Sequence, residues 1–193
     1  MTRALRTIKL EHGNLFSVLH CLRHLALDPQ AGQQPLEGAA LRAILTYIEE
    51  FPDGYHHPKE ERHLFPAVRR RVPSLAPTLD RLETQHKEGA KAIRRIHETL
   101  EAALADGKAR PDFERAVRDY VDGQRAHMLI EERDIIPAAV GSLTDEDWRG
   151  IDEAFADNDD PMFGKARRRK FDDLFRRVVD LAPPPFGFGD AGP

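Results

Sequence analysis

The chain is nearly without cysteine: Cys21 stands alone among 193 residues. One thiol closes no internal disulfide and builds no cysteine-based zinc finger, which fits a reducing compartment. No apolar run approaches the roughly 20 residues that a membrane-spanning helix needs. The first ten residues carry Arg3, Arg6 and Lys9 and have no apolar core, so no secretory signal is read there and a cytoplasmic location is expected. Neither sign of charge dominates: 29 basic and 33 acidic residues leave a net charge of −4. That balance argues against a nucleic-acid binder driven by bulk charge, and neither nucleic acid nor membrane is expected as a partner. What remains is an ordinary soluble composition, 40% hydrophobic and 32% charged, long enough to bury its own core. Its unusual component is histidine, with nine residues.

Apolar residues recur at three- and four-residue steps, the period of one helix face. Leu5, Ile8, Leu15, Leu19, Leu22 and Ala26 mark a first helix, which Asp28-Pro29 ends. A second starts near Pro35 and runs through Leu41, Ile44, Ile48 and Phe51; Pro52, Gly54 and Pro58 are expected to kink it or break it ahead of a piece reaching Arg71. Leu79, Leu82, Ile93, Ile96 and Leu100 define a third, stopped by Asp106-Gly107. The fourth opens near Pro111, carries Phe113, Val117, Tyr120 and Ala138, and stops at Gly141. Long helices with short connections predict an all-α, antiparallel up-down four-helix bundle over 1–141. Residues 142–193 read as a C-terminal helical extension and Pro/Gly tail: a short helix to about Phe155, an acidic loop over 157–160, a helix over 165–181 and an extended end.

Within this pattern lies a contradiction. His12, His86, His127 and Glu131 fall on stripe positions that should be apolar. A buried carboxylate is costly unless paired or bound to metal. Counting residues from the shared loops puts one polar residue of each helix within roughly 10 Å of a common level, so a single polar layer is feasible.

An internal repeat sharpens the point. Residues 56–66 (HHPKEERHLFP) and 127–137 (HMLIEERDIIP) share the pattern H-x-x-x-E-E-R-x-[LI]-[FI]-P. A lone His-x-x-x-acid pair is weak evidence, since nine histidines and 33 acids in 193 residues give about 1.5 by chance and five occur. Only two share the longer context. The common proline sets the register, choosing His56/Glu60 over His57/Glu61 and pairing His127 with Glu131. Residues four apart share a helix face, so each helix offers an imidazole and a carboxylate to one point. The candidate metal ligands are therefore His12, His56, Glu60, His86, His127 and Glu131. Four imidazoles and two carboxylates divide over two metals as two imidazoles each, with both carboxylates able to bridge; this donor set suits iron or manganese.

The Glu11-His12 pair, the H-x-x-x-E-E-x-x-L-F-P of the second helix, Gln85-His86-Lys87-Glu88 and the second H-x-x-x-E resemble the hemerythrin-like HHE cation-binding family over about residues 5–140. The resemblance implies a four-helix bundle holding an oxo- or hydroxo-bridged pair of iron ions, with manganese or zinc as substitutes. It implies O2, NO or peroxide as the small partner, in redox defence, sensing or ligand storage. The six residues follow the four-His, two-Glu pattern of a bacterial branch. The invertebrate oxygen carriers instead place a second histidine four residues along the third helix, where this chain has Ala90. A di-iron enzyme that reduces peroxide or oxygen, and a metal-responsive interaction module, are the alternative readings.

Other features read as structural. His20 and His24 turn away from the seam and belong at the surface or its boundary. His57 and His63, beside the motif, either support the ligands from behind or, the expected reading, lie in solvent, and Glu61 and Glu132 point about 100° from the ligand face, so they are expected to matter little. His97/Glu101 reads as an exposed pair, Tyr55 and Tyr120 as packing residues, and the arginine runs 69–71 and 167–170 as solvated faces. Gly89 either leaves room beside the metals or permits close helix packing.

Overall fold

The computed structural model describes residues 2–27 and 36–156, together with 176 and 180. Among these residues there is no strand. The first helix, α1, is Arg3–Leu27. The second, α2, runs without interruption over 38–71: Gly38–Ile48 is α-helical, Glu49–His56 π-helical, His57–Lys59 α-helical, Glu60–Leu64 π-helical and Phe65–Arg71 α-helical. A turn at Pro73–Leu75 leads into α3, Ala76–Ala105. Helix α4 covers 110–142, with a π-helical turn at Glu131–Ile135 between the α-helical Arg110–Ile130 and Ile136–Ser142. Helix α5 is Asp145–Ala156.

The helix expected to kink or break at Pro52, Gly54 and Pro58 is thus a single run, and the wide turns explain why. Proline has no N–H, and its ring presses on the carbonyl four residues back. A π turn inserts one residue and moves that carbonyl aside. The His57 N–H donates to the Pro52 carbonyl, Phe65 N–H to that of Glu60, and Ile136 N–H to that of Glu131. The last two turns sit just ahead of Pro66 and Pro137, the prolines of the repeat, and both begin at its first glutamate. The repeated motif therefore encodes backbone geometry as well as side chains.

The helices pack into a bundle, with α1 against α2 and α4, α3 along α4, and α2 beside α3. Their stripes form two apolar clusters. One gathers Leu15, Leu22, Ile44, Ile48, Ile93, Leu100, Phe113 and Val117. The other gathers Leu5, Ile8, Phe65, Val68, Leu82 and Ile135 with Trp148, Ile151 and Phe155 of α5. In each long helix the stripe histidine lies between residues of one cluster and residues of the other, so the polar layer separates two dry regions. At Gly89 a Cβ would come 3.0 Å from the amide nitrogen of Gln124, so this glycine lets a polar side chain of α4 approach α3 closely.

Helix α5 completes the second cluster. Its start is a capping box: the Asp147 N–H donates to Thr144 Oγ1 at 3.3 Å, and the Thr144 N–H donates to Asp147 Oδ2 at 3.0 Å. Arg70 and Arg71 of α2 donate to the same Asp147 carboxylate at 2.9 and 2.7 Å, and the Ala4 N–H, one of the unpaired donors at the start of α1, donates to Asp152 Oδ1 at 2.7 Å. The acidic loop, the helix at 165–181 and the tail lie outside the described residues, 176 and 180 apart. Because Phe155 is fully buried among α1 and α2 side chains, Phe155→Ala is expected to cost about 3–5 kcal/mol. Urea denaturation checks this, and a loss under about 1 kcal/mol would mean that α5 is not part of the core.

Candidate metal centre

The layer between the two clusters is built by side chains from all four long helices. His12 comes from α1, His56 and Glu60 from α2, His86 from α3, and His127 and Glu131 from α4; all six are buried. The Nε2 atoms of His12 and His56 lie 3.2 Å apart, and those of His86 and His127 3.1 Å apart. Glu60 spans the two pairs, with Oε1 3.4 Å from His56 Nε2 and Oε2 3.9 Å from His86 Nε2. Glu131 spans them from the other side, with Oε2 3.4 Å from His12 Nε2 and Oε1 3.1 Å from His127 Nε2. Donor atoms of His12, His56 and Glu60 form one group within 4.8 Å of one another, and those of Glu60, His86, His127 and Glu131 form another.

Each imidazole is oriented by an acceptor on the neighbouring helix. His56 Nδ1 donates to Glu11 Oε2 at 2.8 Å, His86 Nδ1 to Glu61 Oε1 at 2.8 Å, His127 Nδ1 to Gln85 Oε1 at 3.0 Å and His12 Nδ1 to Glu132 Oε1 at 3.2 Å. The support runs in a ring, α1 to α2 to α3 to α4 and back to α1. Carboxylates accept only, so Nδ1 carries the proton and a neutral ring turns its Nε2 lone pair inward. Two lone pairs facing each other at about 3 Å repel unless a proton or a metal cation sits with them. Glu60 Oε2 and both carboxylate oxygens of Glu131 are buried without a hydrogen-bond partner. Inward lone pairs and unpartnered carboxylate oxygens are what a cation site requires, and the residues fit one.

The electrostatics follow from crowding. Burial opposes charge on His56, but Glu60, Glu11 and Glu131 surround it and raise it to about 9, so it holds a proton in the metal-free protein. Burial and that neighbouring imidazolium lower His12, and burial and adjacent imidazoles lower His86. Burial and the facing Glu131 push Glu60 well up, whereas Glu131, which burial would also raise, is held down by His127, His12 and His56. In effect a proton occupies the place where the donor set would bind a metal.

Several neighbours differ from the sequence expectation. His57 is not in solvent: it is buried, its ring stacks on that of His86 at 3.9 Å and 11°, and burial lowers its basicity. His63 is exposed, as expected. Glu61 and Glu132 do turn off the ligand face, but the 100° step that takes them away from their own histidines aims them at the histidine of the next helix. Glu11 and Gln85 do the same by directly preceding His12 and His86. Doubled polar residues at His12, Glu60, His86 and Glu131 were the available signal. His97 pairs with Glu49 at 3.3 Å rather than with Glu101, which instead accepts from Arg42 at 2.7 Å. Tyr55 and Tyr120 are buried, and Tyr120 Oη has no hydrogen-bond partner. His20 is exposed and His24 half-buried, neither near the site.

A cleft of about 490 Å3 between α1 and α4 reaches the layer, with His12, Gly13, Met128 and Glu132 in its walls and Lys9 and Phe16 among its other lining residues. The Arg125 guanidinium lies over the Phe16 ring, 5.3 Å from its centroid.

Fold and site together define a helical protein with a histidine–carboxylate cation centre. Residues 3–139 match the hemerythrin HHE cation-binding domain, and the chain belongs to that family. It is 27% identical over 172 residues to uncharacterized proteins of Mycobacterium bovis and of two Mycobacterium tuberculosis strains, a stretch that is 89% of this chain and 66% of each relative. The match thus spans just under two thirds of those proteins. No solved structure matches the chain. No helix among the described residues is long and apolar enough to cross a membrane.

The protonated His56 makes metal-free stability depend on pH. A raised folded-state value contributes stability that is fully present below the ordinary histidine value of 6.5 and is lost as pH rises through about 9. Stability in chelator is therefore expected to fall between pH 6.5 and 9, by at most about 1.4 kcal/mol per pH unit. Urea denaturation across that range checks it. A slope that persists in His56→Gln would assign the effect to other groups.

Proposed function

We propose that the chain is a non-haem di-iron protein whose centre binds O2, NO or peroxide for redox defence, sensing or ligand storage. It would do so in an antiparallel up-down bundle over 1–141, with 142–193 as an extension. The observation that carries this reading is the pairing of Nε2 atoms across two carboxylates, each of which directs one oxygen to either pair. Such an arrangement divides into two half-sites, each with a pair of imidazoles, that would share both carboxylates. Its donors are imidazole and carboxylate without thiolate, since Cys21 belongs to the apolar cluster, and that set suits iron or manganese. Bound iron supplies redox chemistry and Lewis acidity. The chain's own residues hold the imidazoles in the required tautomer, supply the bridging carboxylates and keep the layer dry on both sides. The cleft beside His12 has room for a diatomic or peroxide ligand.

Metal analysis and the absorption spectrum of aerobically purified protein test the proposal. Two iron ions per chain, near-ultraviolet charge-transfer bands and a spectral change with azide are expected. One tight zinc per chain with no uptake of iron would overturn it.

The residues sort by how directly they act. Glu60→Ala and Glu131→Ala each remove a carboxylate shared by both half-sites and should leave one metal or none. Glu61→Ala and Glu132→Ala remove only the acceptor behind His86 and His12 and should weaken binding by about 10–100-fold, with full occupancy recoverable at high metal. Chelator-competition titrations separate the two classes. Equal, irrecoverable loss in both would place Glu61 and Glu132 among the ligands.

Metal bound only by the native state adds stability by linkage. The metal-free protein should melt at a clearly lower temperature yet remain largely helical, because the two apolar clusters persist. The difference should shrink in His12→Ala or His86→Ala, each the sole ligand of its helix among the six. Melting followed by circular dichroism with and without iron measures this, and identical curves at saturating iron would show that the six residues form no common site.

A further inference from the structure

The four paired histidines share a signature: a buried ring, Nδ1 turned to a side-chain oxygen, and Nε2 left for the centre. His57 shares the burial, at 3% exposed. Its Nδ1 lies 3.4 Å from Asp53 Oδ1, one turn earlier on α2, but neither atom makes a hydrogen bond, so this ring keeps a buried nitrogen without a partner. One donor atom each of His57, His86 and His127 lie within 4.8 Å of one another. Its ring is parallel to that of His86 and edge-on to that of His127, with centroids 3.9 and 5.6 Å away. A solvated or merely space-filling histidine does not need a convergence with two others, nor does it leave a buried nitrogen unpartnered.

The backbone accounts for this placement. His57 follows the wide turn Glu49–His56, the longest π-helical stretch in the chain's described residues. In a regular α-helix consecutive residues point about 100° apart, which would separate His56 and His57 onto different faces. Here His56 joins the His12 side of the layer while His57 stacks on the His86 side, so one helix serves both half-sites.

We propose that His57 is a fifth imidazole ligand, completing the half-site of His86 and His127, so that one metal position has three imidazoles and the other, His12 with His56, has two. This inference rests on the di-metal reading and makes the two positions chemically unequal. The position with fewer protein ligands is the one beside the cleft, whose wall includes His12.

The full-length protein loaded with cobalt(II) tests it. An imidazole bound through Nε2 keeps an exchangeable Nδ1–H, whose proton resonance is strongly shifted by the paramagnetic ion. Five such resonances are expected, one each from His12, His56, His57, His86 and His127. His57→Phe keeps a ring on His86 without a donor atom, and His57→Gln keeps polarity without an imidazole. Each should remove one resonance and weaken the binding of one of the two metals by about tenfold or more, leaving the other unchanged. Four resonances in wild-type protein carrying two cobalt ions would overturn the fifth ligand and leave the di-metal reading standing. Unaltered resonances and affinities in folded His57→Gln would do the same. A wild-type protein that binds fewer than two metals would overturn both readings. Should His57→Phe not fold, the wild-type count and His57→Gln decide the matter.

Discussion

The structure depends on one constraint: a layer of imidazoles and carboxylates is buried between two apolar clusters. Charged and polar groups removed from water must find partners or destabilise the fold. On their outer side the imidazoles find them, through the ring of acceptors from Glu11, Glu61, Gln85 and Glu132. On the inner side partners are missing, as the unbonded oxygens of Glu60 and Glu131 show. The same arrangement that satisfies Nδ1 of His12, His56, His86 and His127 leaves their Nε2 atoms dependent on a cation. Apolar burial above and below the layer makes this affordable, since residues such as Ile8, Leu22, Phe65, Ile96 and Phe113 are fully buried and stabilise the bundle independently of the layer.

Much of this was legible in the sequence for identifiable reasons. The three/four stripes give the helices because burying one face is what stabilises them. The duplicated motif gives the register because its proline stands at a fixed distance from both the histidine and the glutamate. What escaped was local. The prolines of α2 read as breakers because a regular α-helix has no place for them, whereas π turns accommodate them and set the direction of Glu60 and of the two consecutive histidines. His57 read as solvated because the α-helical step was assumed where the helix is wide. Glu61 and Glu132 read as bystanders because a helix considered alone shows which way a residue faces but not which side chain of the adjacent helix it meets.

Helix α5 shows how the end of the bundle near the second cluster is closed. Trp148, Ile151 and Phe155 form an apolar stripe in an otherwise acidic segment, and they cover side chains of α1 and α2 that would otherwise face water. The Arg70–Asp147 and Arg71–Asp147 pairs fix the approach of α5 to α2, but both arginines are exposed and solvent screens their attraction to the carboxylate. The aromatic and aliphatic burial therefore does most to hold α5, and the ion pairs set its orientation.

The two sides of the polar layer differ in their access to solvent. At the α1–α4 side, Glu132 supports His12 from a half-exposed position, 53% accessible, on the wall of a cleft. At the α2 side, His57 is buried and Asp53 half-buried, and the Asp53 carboxyl is pushed up to about 6 by burial, against the lowering effect of Arg94. A ligand that exchanges with solvent needs an open path and a neighbouring group that can move without unfolding the core. Glu132 and Phe16, on the surface of α4 and α1, meet that condition; His57, stacked on His86 beneath α2, does not. The fold thus leaves the His12 side open to a cleft and buries the His57 side, although the sequence motifs on the two halves of the bundle are nearly the same.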